Sequence, residues 1–254
     1  MAQKTEVELI VQRTEDLAPR LRRVVLGGPA FDEYLAHHLD STDTYVKLVF
    51  ADGDDTVLRT YTVRWVDPEA RELAIDFVTH GTEGLAGPWA LAAQPGDTLR
   101  FRGPGGAYRP HPDADHHLFV GDESALPAIA ASIAALEPGA TATAFLEVDG
   151  PGHEIDLPTS GEVDVHWLHR DGAAPGSTTL LDDAVRAWPW PQGRVQAFVH
   201  GESALLKSVR PYLLDGRVER ADISVSAYWR SGETEEGFRA WKREQQDAVM
   251  RPGA

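Results

Sequence analysis

The period of the apolar residues changes once along this chain, near residue 112, and that change limits the possible folds more than any other feature. Before it, β-type runs at 7–11, 21–26, 44–50, 59–64, 72–78 and 97–102 are separated by turn formers such as Gly27-Gly28-Pro29 and Pro95-Gly96. Six such runs with almost no helix between them predict a closed antiparallel six-stranded β-barrel, with Leu9, Val24, Val46, Leu48 and Phe77 in its core. After it, strands at 118–120, 143–148, 163–169, 195–200 and 223–228 alternate with helical stretches at 124–136, 178–188 and 203–214. That alternation predicts an α/β unit with a mainly parallel sheet. In the last of those helices Leu205, Leu206, Val209, Tyr212 and Leu213 share one face and read as core. The Pro- and Gly-rich run from Gly103 to Pro112 reads as the hinge, giving two domains, 1–112 and 113–254.

Charge and composition remove several classes of function. A net charge of −16 lacks the basic footprint that nucleic acid or an anionic membrane requires. Any local cluster of basic residues in such a chain would mark an anionic ligand. There are no cysteines, so disulfides, Fe–S clusters and thiolate nucleophiles are out. The 10 histidines show no His-Glu-x-x-His spacing, and pairs such as His37-His38 and His116-His117 read as facing opposite sides of a strand, so no metal site is expected. With no apolar h-region and no run of membrane-spanning length, the expectation is a cytoplasmic protein without stable membrane insertion, acting as a monomer.

The strand Arg59-Thr60-Tyr61-Thr62-Val63-Arg64 carries the first chemistry. Alternation puts Arg59, Tyr61 and Val63 on one side and Thr60, Thr62 and Arg64 on the other. A guanidinium beside an aromatic face suits a flat ring system bearing a phosphate, and Thr62 can offer a hydroxyl to a ring heteroatom. By itself the hexapeptide fits a ligand-free sheet face better than a cofactor site. The stretch from His80 to Ala90, with Gly81, Gly84 and Gly87 ahead of Trp89, reads equally as a phosphate-binding loop opening onto a helix or as a plain connector.

The hexapeptide resembles the flavin-binding Arg-x-Tyr-Thr/Ser motif of ferredoxin-reductase-like flavoproteins, and more narrowly that of the siderophore-interacting protein (ferric-siderophore reductase) family. Further strings resemble the same family in the same order. The His80–Ala90 stretch is similar to its flavin phosphate loop, with Gly87-Pro88 where many members carry Ser-Arg. Gly121-Asp122-Glu123-Ser124-Ala125-Leu126-Pro127-Ala128-Ile129 is similar to its nicotinamide-site signature. Gly201-Glu202-Ser203, with Arg210-Pro211-Tyr212-Leu213 closing the helix, recurs there too. The tail Tyr228-Trp229-Arg230-Ser231-Gly232-Glu233-Thr234-Glu235-Glu236 resembles the family's Tyr-Trp-Arg-x-Gly-x-Thr-Glu-Glu, with Ala227 replacing a preceding glycine. Thr234 is placed to cap a last helix lined by Phe238, Trp241, Ala248 and Val249.

The resemblance implies a barrel that binds FAD noncovalently through Arg59, Tyr61, Thr62, His80, Gly84, Ala86, Gly87 and Trp89. It implies an α/β domain that brings a nicotinamide nucleotide to the flavin through Gly121, Asp122, Glu123, Ser124 and Glu202. The implied activity is reduction of a ferric siderophore by NAD(P)H through FAD, releasing Fe(II), with alignment rather than an acid or base carrying the hydride step. Lys47 and Arg230, with Arg109 as a weaker third, are the cations implied for an anionic siderophore. For Lys47 a solvated strand lysine is an equal reading. Arg170, after His169, is the expected grip on an NADPH 2′-phosphate, whereas Glu147 and Asp149 speak for NADH. Two alternatives stand beside this reading: a general flavin or quinone reductase on the same fold, and a non-redox siderophore-binding protein.

Overall fold

The computed structural model describes residues 6–53, 55–79, 84–234, 236–238, 240–242 and 244. His80, Ala248 and Val249, singled out above, lie outside the described residues. Six strands, β1 (Glu6–Ala18), β2 (Leu21–Gly27), β3 (Tyr45–Asp52), β4 (Asp55–Asp67), β5 (Glu72–Val78) and β6 (Thr98–Gly105), close into a barrel in the order β1-β2-β5-β4-β3-β6. Every pairing is antiparallel, as expected from the first half. Closure removes the sheet edges and lets one face of every strand share a core. Leu9, Val24, Val46, Leu48 and Phe77 are all in it. Two short helices seal the barrel: α1 (Phe31–Leu35), which buries Phe31 and Tyr34, and α2 (Ala86–Ala92), which buries Ala86 and Ala90. Helix α1 was not foreseen, and it puts His37-His38 just past its end, not on a strand.

The second sheet holds β7 (His116–Asp122), β8 (Thr141–Val148), β9 (Glu162–His169), β10 (Val195–Glu202) and β11 (Ile223–Trp229), all parallel, in the order β11-β10-β7-β8-β9. Helices α4 (Leu180–Ala187) and α5 (Ser203–Leu214) pack on one face, where Leu206, Val209 and Leu213 are buried and Leu205 and Tyr212 flank them. Helix α3 (Leu126–Ala134) covers the other face and is itself covered by the barrel. Leu17, Ala18, Leu21 and Val78 of the barrel share its apolar layer. Being enclosed all round explains its composition: seven of its residues, Ala128 and Ala130 among them, are buried. The close approach also dictates Gly121, where a Cβ would fall 2.7 Å from Ala125 Cβ and 2.8 Å from Ile129 Cδ1. Ser124 makes no capping bond to α3; its backbone N–H and hydroxyl both go to Asp122.

The stretch read as a hinge is fastened at both ends. Asp43 Oδ1 accepts the N–H groups of Ala107 and Tyr108 at 2.8 Å each. Gln196 of β10 bonds the Arg109 carbonyl at 3.1 Å and the His111 N–H at 2.8 Å. Beyond β11, Thr234 caps the last helix as expected, its Oγ1 accepting from the Gly237 N–H at 3.2 Å.

Candidate functional site

On β4 the alternation holds. Val63 points into the barrel core, and Tyr61 beside it packs on Phe77 with ring centroids 4.6 Å apart. Helix α2 brings Trp89 to the same ring at 5.7 Å, and Phe50 completes the cluster 6.2 Å from Trp89. The strand residue and the loop residue expected to serve one cofactor therefore meet through Phe77. Ala86 is buried in the barrel core, while a side chain at Gly87 would meet only Thr79 Cα at 3.8 Å, and Gly84 faces open space. Arg59 Nη1 donates to Glu236 Oε1 of the tail helix at 2.6 Å.

Thr62 and Arg64 lie on the opposite face of β4, toward the α/β domain. Thr62 lies beside the Tyr228 hydroxyl at the end of β11, close enough to act on it. The Tyr228 ring stands edge-on to His200 at 4.9 Å, His200 stacks on Phe198 at 3.7 Å, and Phe198 contacts Tyr108 at 4.7 Å. An aromatic column thus runs from the linker to β4. Burial and the nearby Lys242 ammonium push His200 down to about 3, so its imidazole is neutral.

In open parallel sheets a ligand crevice forms where the strand order reverses, and here the reversal falls between β7 and β10. The residues at that point bind one another. Asp122 Oδ2 accepts from the Glu202 N–H at 2.9 Å and from Trp229 Nε1 at 2.8 Å. Glu202 caps α5 through Ala204 and accepts from the Ser231 N–H at 3.0 Å. Gly201, at φ +142°, could carry no side chain, because a Cβ would lie 2.7 Å from Asp122 Oδ2. Asp122, Ser124 and Glu202 therefore anchor the Tyr228–Ser231 segment; burial pushes the Asp122 carboxyl up against those four hydrogen bonds.

Next to them, at the ends of β7, β8 and β9, Arg170 is 1% exposed and surrounded by carboxylates: Glu123 at 2.9 Å, Glu147 at 3.7 Å and Asp149 at 4.0 Å. Glu147 also accepts from Thr178 at 2.6 Å, and burial pushes its carboxyl up. His153 lies 3.8 Å from both Glu123 and Asp149. The guanidinium of Arg170, expected as the 2′-phosphate grip, is enclosed and paired with these carboxylates. Glu147 is no freer to take a ribose diol.

Cations collect around the tail helix. Lys242 Nζ donates to Ser226 Oγ at 2.9 Å and Ala227 O at 3.0 Å, and the charge of Lys47 helps burial hold its pKa down. Trp241 has Arg230 5.3 Å and Lys207 6.0 Å from its ring centre. In a chain of net charge −16 this is the basic cluster that an anionic ligand calls for. Lys47 lies near enough to act on Lys242, and Arg230, which also has Glu233 3.8 Å away, packs on Trp241. Arg109 is held by Asp40 at the linker instead. Lys242 was missed; the spacing from Phe238, one helical turn back on the same face, was its only signal.

These residues fit FAD on their own terms. One strand offers a cation and an aromatic ring on one side and a hydroxyl on the other. Gly84 and Gly87 leave room, and Arg64, buried on the interdomain face, has an Nε with no hydrogen-bond partner.

Comparison with known proteins agrees. Residues 114–232 match the model of the siderophore-interacting protein family, and residues 10–57 and 52–108 match its siderophore-interacting FAD-binding domain. A Vibrio cholerae protein named ferric vibriobactin reductase is 32% identical over 92% of this chain and 94% of its own. An Escherichia coli protein named NADPH-dependent ferric-chelate reductase is 28% identical over 88% of this chain and 92% of its own. The crystal structure of a siderophore utilization protein from T. fusca superposes with a TM-score of 0.82 at 37% identity, covering 92% of this chain and 96% of that one.

Proposed function

The chain belongs to the siderophore-interacting protein family, and from that premise we propose that it is a cytoplasmic, FAD-dependent ferric-siderophore reductase driven by a nicotinamide nucleotide. The observation that carries the reading is the placing of the Arg59–Thr62 strand against Tyr228 of the α/β domain, with the Lys47, Lys207, Arg230 and Lys242 cluster beside it. The chemistry FAD supplies when bound is to take two electrons as a hydride and give them up singly to Fe(III), whose reduction weakens hard oxygen ligands.

The chain's own part is alignment. Arg59 holds the phosphates, Tyr61 and Trp89 flank the ring system, and Thr62 meets its heteroatom edge. The Asp122–Glu202–Trp229 bonds hold Tyr228 in register with that edge. The donor is NADPH, as the name of the E. coli relative supports, with NADH a weaker substrate. Its adenosine end is bound without Arg170, which shapes the strand ends by holding Glu123, Glu147 and Asp149.

The basic cluster steers the anionic ferric complex. Charge reversal of Lys47 and Arg230 together raises the KM for an anionic ferric catecholate and leaves flavin reduction by NADPH unchanged. The defect weakens with added salt, since exposed charges are screened over about 8–10 Å at ordinary ionic strength. Unchanged KM in the double variant removes both residues from the substrate site.

A further inference from the structure

The outward face of the barrel holds one buried cation more than its carboxylates balance. Arg64 follows Thr62 by two residues on the same face of β4, and its side chain is 9% exposed. Its neighbour on β5 is Asp76, with Arg64 Nε 4.0 Å from Oδ2. Asp76 is already engaged: Arg23 of β2 donates Nε to Oδ1 at 2.7 Å and Nη2 to Oδ2 at 2.8 Å. Arg64 Nε makes no hydrogen bond. Within the buried part of this group two guanidiniums face one carboxylate, with the exposed Glu15 acting on Arg23 from outside, and arginine does not give up its proton in proteins. Burial and the Arg23 charge both act against that proton, with Asp76 pulling the other way.

A buried charge without a full counter-charge is costly, and chains avoid it unless something bound supplies the missing sign. The chain is acidic overall, so a carboxylate here would have been easy to supply. The face carrying Arg64 is the one on which Thr62 meets Tyr228. A hydride delivers two electrons and one proton to the neutral flavin ring, which becomes a monoanion, while the neutral dihydronicotinamide becomes a cationic nicotinamide. The charge that appears on reduction is therefore −1, the amount the Arg23–Asp76–Arg64 group lacks.

Resting on the FAD reading above, we propose that Arg64 is the counter-charge of reduced flavin: its uncompensated guanidinium stabilises the reduced over the oxidised ring and raises the flavin's midpoint potential. Arg64 transfers no proton and touches no iron in this role. Arg23 shares it indirectly, because by occupying Asp76 it keeps Arg64 unbalanced.

The test is spectroelectrochemistry on FAD-loaded wild type, Arg64→Met, Arg64→Lys and Arg23→Met, reading the midpoint potential and the absorption of the reduced flavin. In Arg64→Met the preference for reduced over oxidised FAD falls at least tenfold, a shift of about 30 mV downward for a two-electron couple. Its reduced spectrum moves from the anionic to the neutral form at pH 7. Arg64→Lys stays within about threefold of wild type. Arg23→Met frees Asp76 to neutralise Arg64, so it shifts the potential in the same downward direction. If Arg64→Met fails to fold or to hold FAD, Arg23→Met decides the matter. An FAD-loaded Arg23→Met or Arg64→Met protein with the wild-type potential overturns the proposal and leaves the FAD reading standing. A wild-type protein that takes up no FAD overturns both.

Discussion

Each domain buries an arginine at its face toward the other, and the two are surrounded in opposite ways. Arg170, at the strand ends of the α/β domain, has Glu123, Glu147 and Asp149 within 4.0 Å and Thr178 bonded to one of them. Arg64, on the barrel, has among the described residues only Asp76, at 4.0 Å, and Asp76 is shared with Arg23. The first has more counter-charge than it needs and the second too little. A saturated ion cluster holds structure and has no affinity left over; an unsaturated one is stable only with something else present. That difference is the ground for the roles proposed above, Arg170 in architecture and Arg64 toward a bound flavin.

The sharpest break of this contrast compares Arg170→Met with Arg64→Met in the absence of flavin. Removing Arg170 takes the guanidinium from Glu123 and Glu147, while Asp149 keeps Arg20 at 3.4 Å, and costs about 3–5 kcal/mol of unfolding free energy, read from the denaturant midpoint. The deficit shrinks as the pH falls, because Glu147, which burial pushes up and Arg170 pulls down, then takes up a proton. NADPH and NADH turnover fall together in the surviving protein. Arg64→Met leaves stability unchanged or raises it, because the methionine keeps the stem's place, an under-compensated buried charge is gone and Asp76 keeps Arg23. Equal losses in the two variants dissolve the contrast, and a selective loss of NADPH in the first returns Arg170 to the phosphate.

Much of this architecture was legible in the sequence, and the reasons it stopped being legible are physical. Residue period gave both sheets and their strand directions, because each strand's burial is local to its own alternation. It missed α1, a five-residue helix whose two buried rings, Phe31 and Tyr34, look like ordinary loop aromatics. It cut β1 short at residue 11, because the strand carries register shifts before and after Asp16 as it turns between two partners. Motifs alone put Tyr61, Thr62 and Trp89 forward; that Tyr61 and Trp89 meet on Phe77 needed the structure. Charge pairing was not. Arg170 draws its carboxylates from β7 and β8 and the loop that follows, and the significance of Arg64 rests on Arg23, 41 residues before it, having claimed the same aspartate.

A smaller effect sharpens the same comparison at His200, which gives up its charge where Arg64 keeps one. His200 faces Lys242, Tyr228 and Ser224, and its ring is held down to about 3. The folded state cannot protonate it near pH 5, whereas the unfolded chain can from about pH 6.5 downward. Stability is therefore fully present above about pH 6.5 and falls as the pH drops from there toward 3, by at most about 1.4 kcal/mol per pH unit for this group. His200→Phe keeps the stack on Phe198 and flattens that acid limb, measurable as unfolding midpoints between pH 4 and 7. An acid limb of unchanged slope assigns the loss to other groups.

The most direct test of the account is the visible spectrum of the purified protein, taken anaerobically before and after NADPH and again after an anionic ferric catecholate. The account predicts a yellow protein whose FAD is released on denaturation, whose flavin bands bleach with NADPH, and whose colour returns as Fe(II) appears. A protein that binds no flavin, or whose bleached flavin is not reoxidised by the ferric complex, contradicts it.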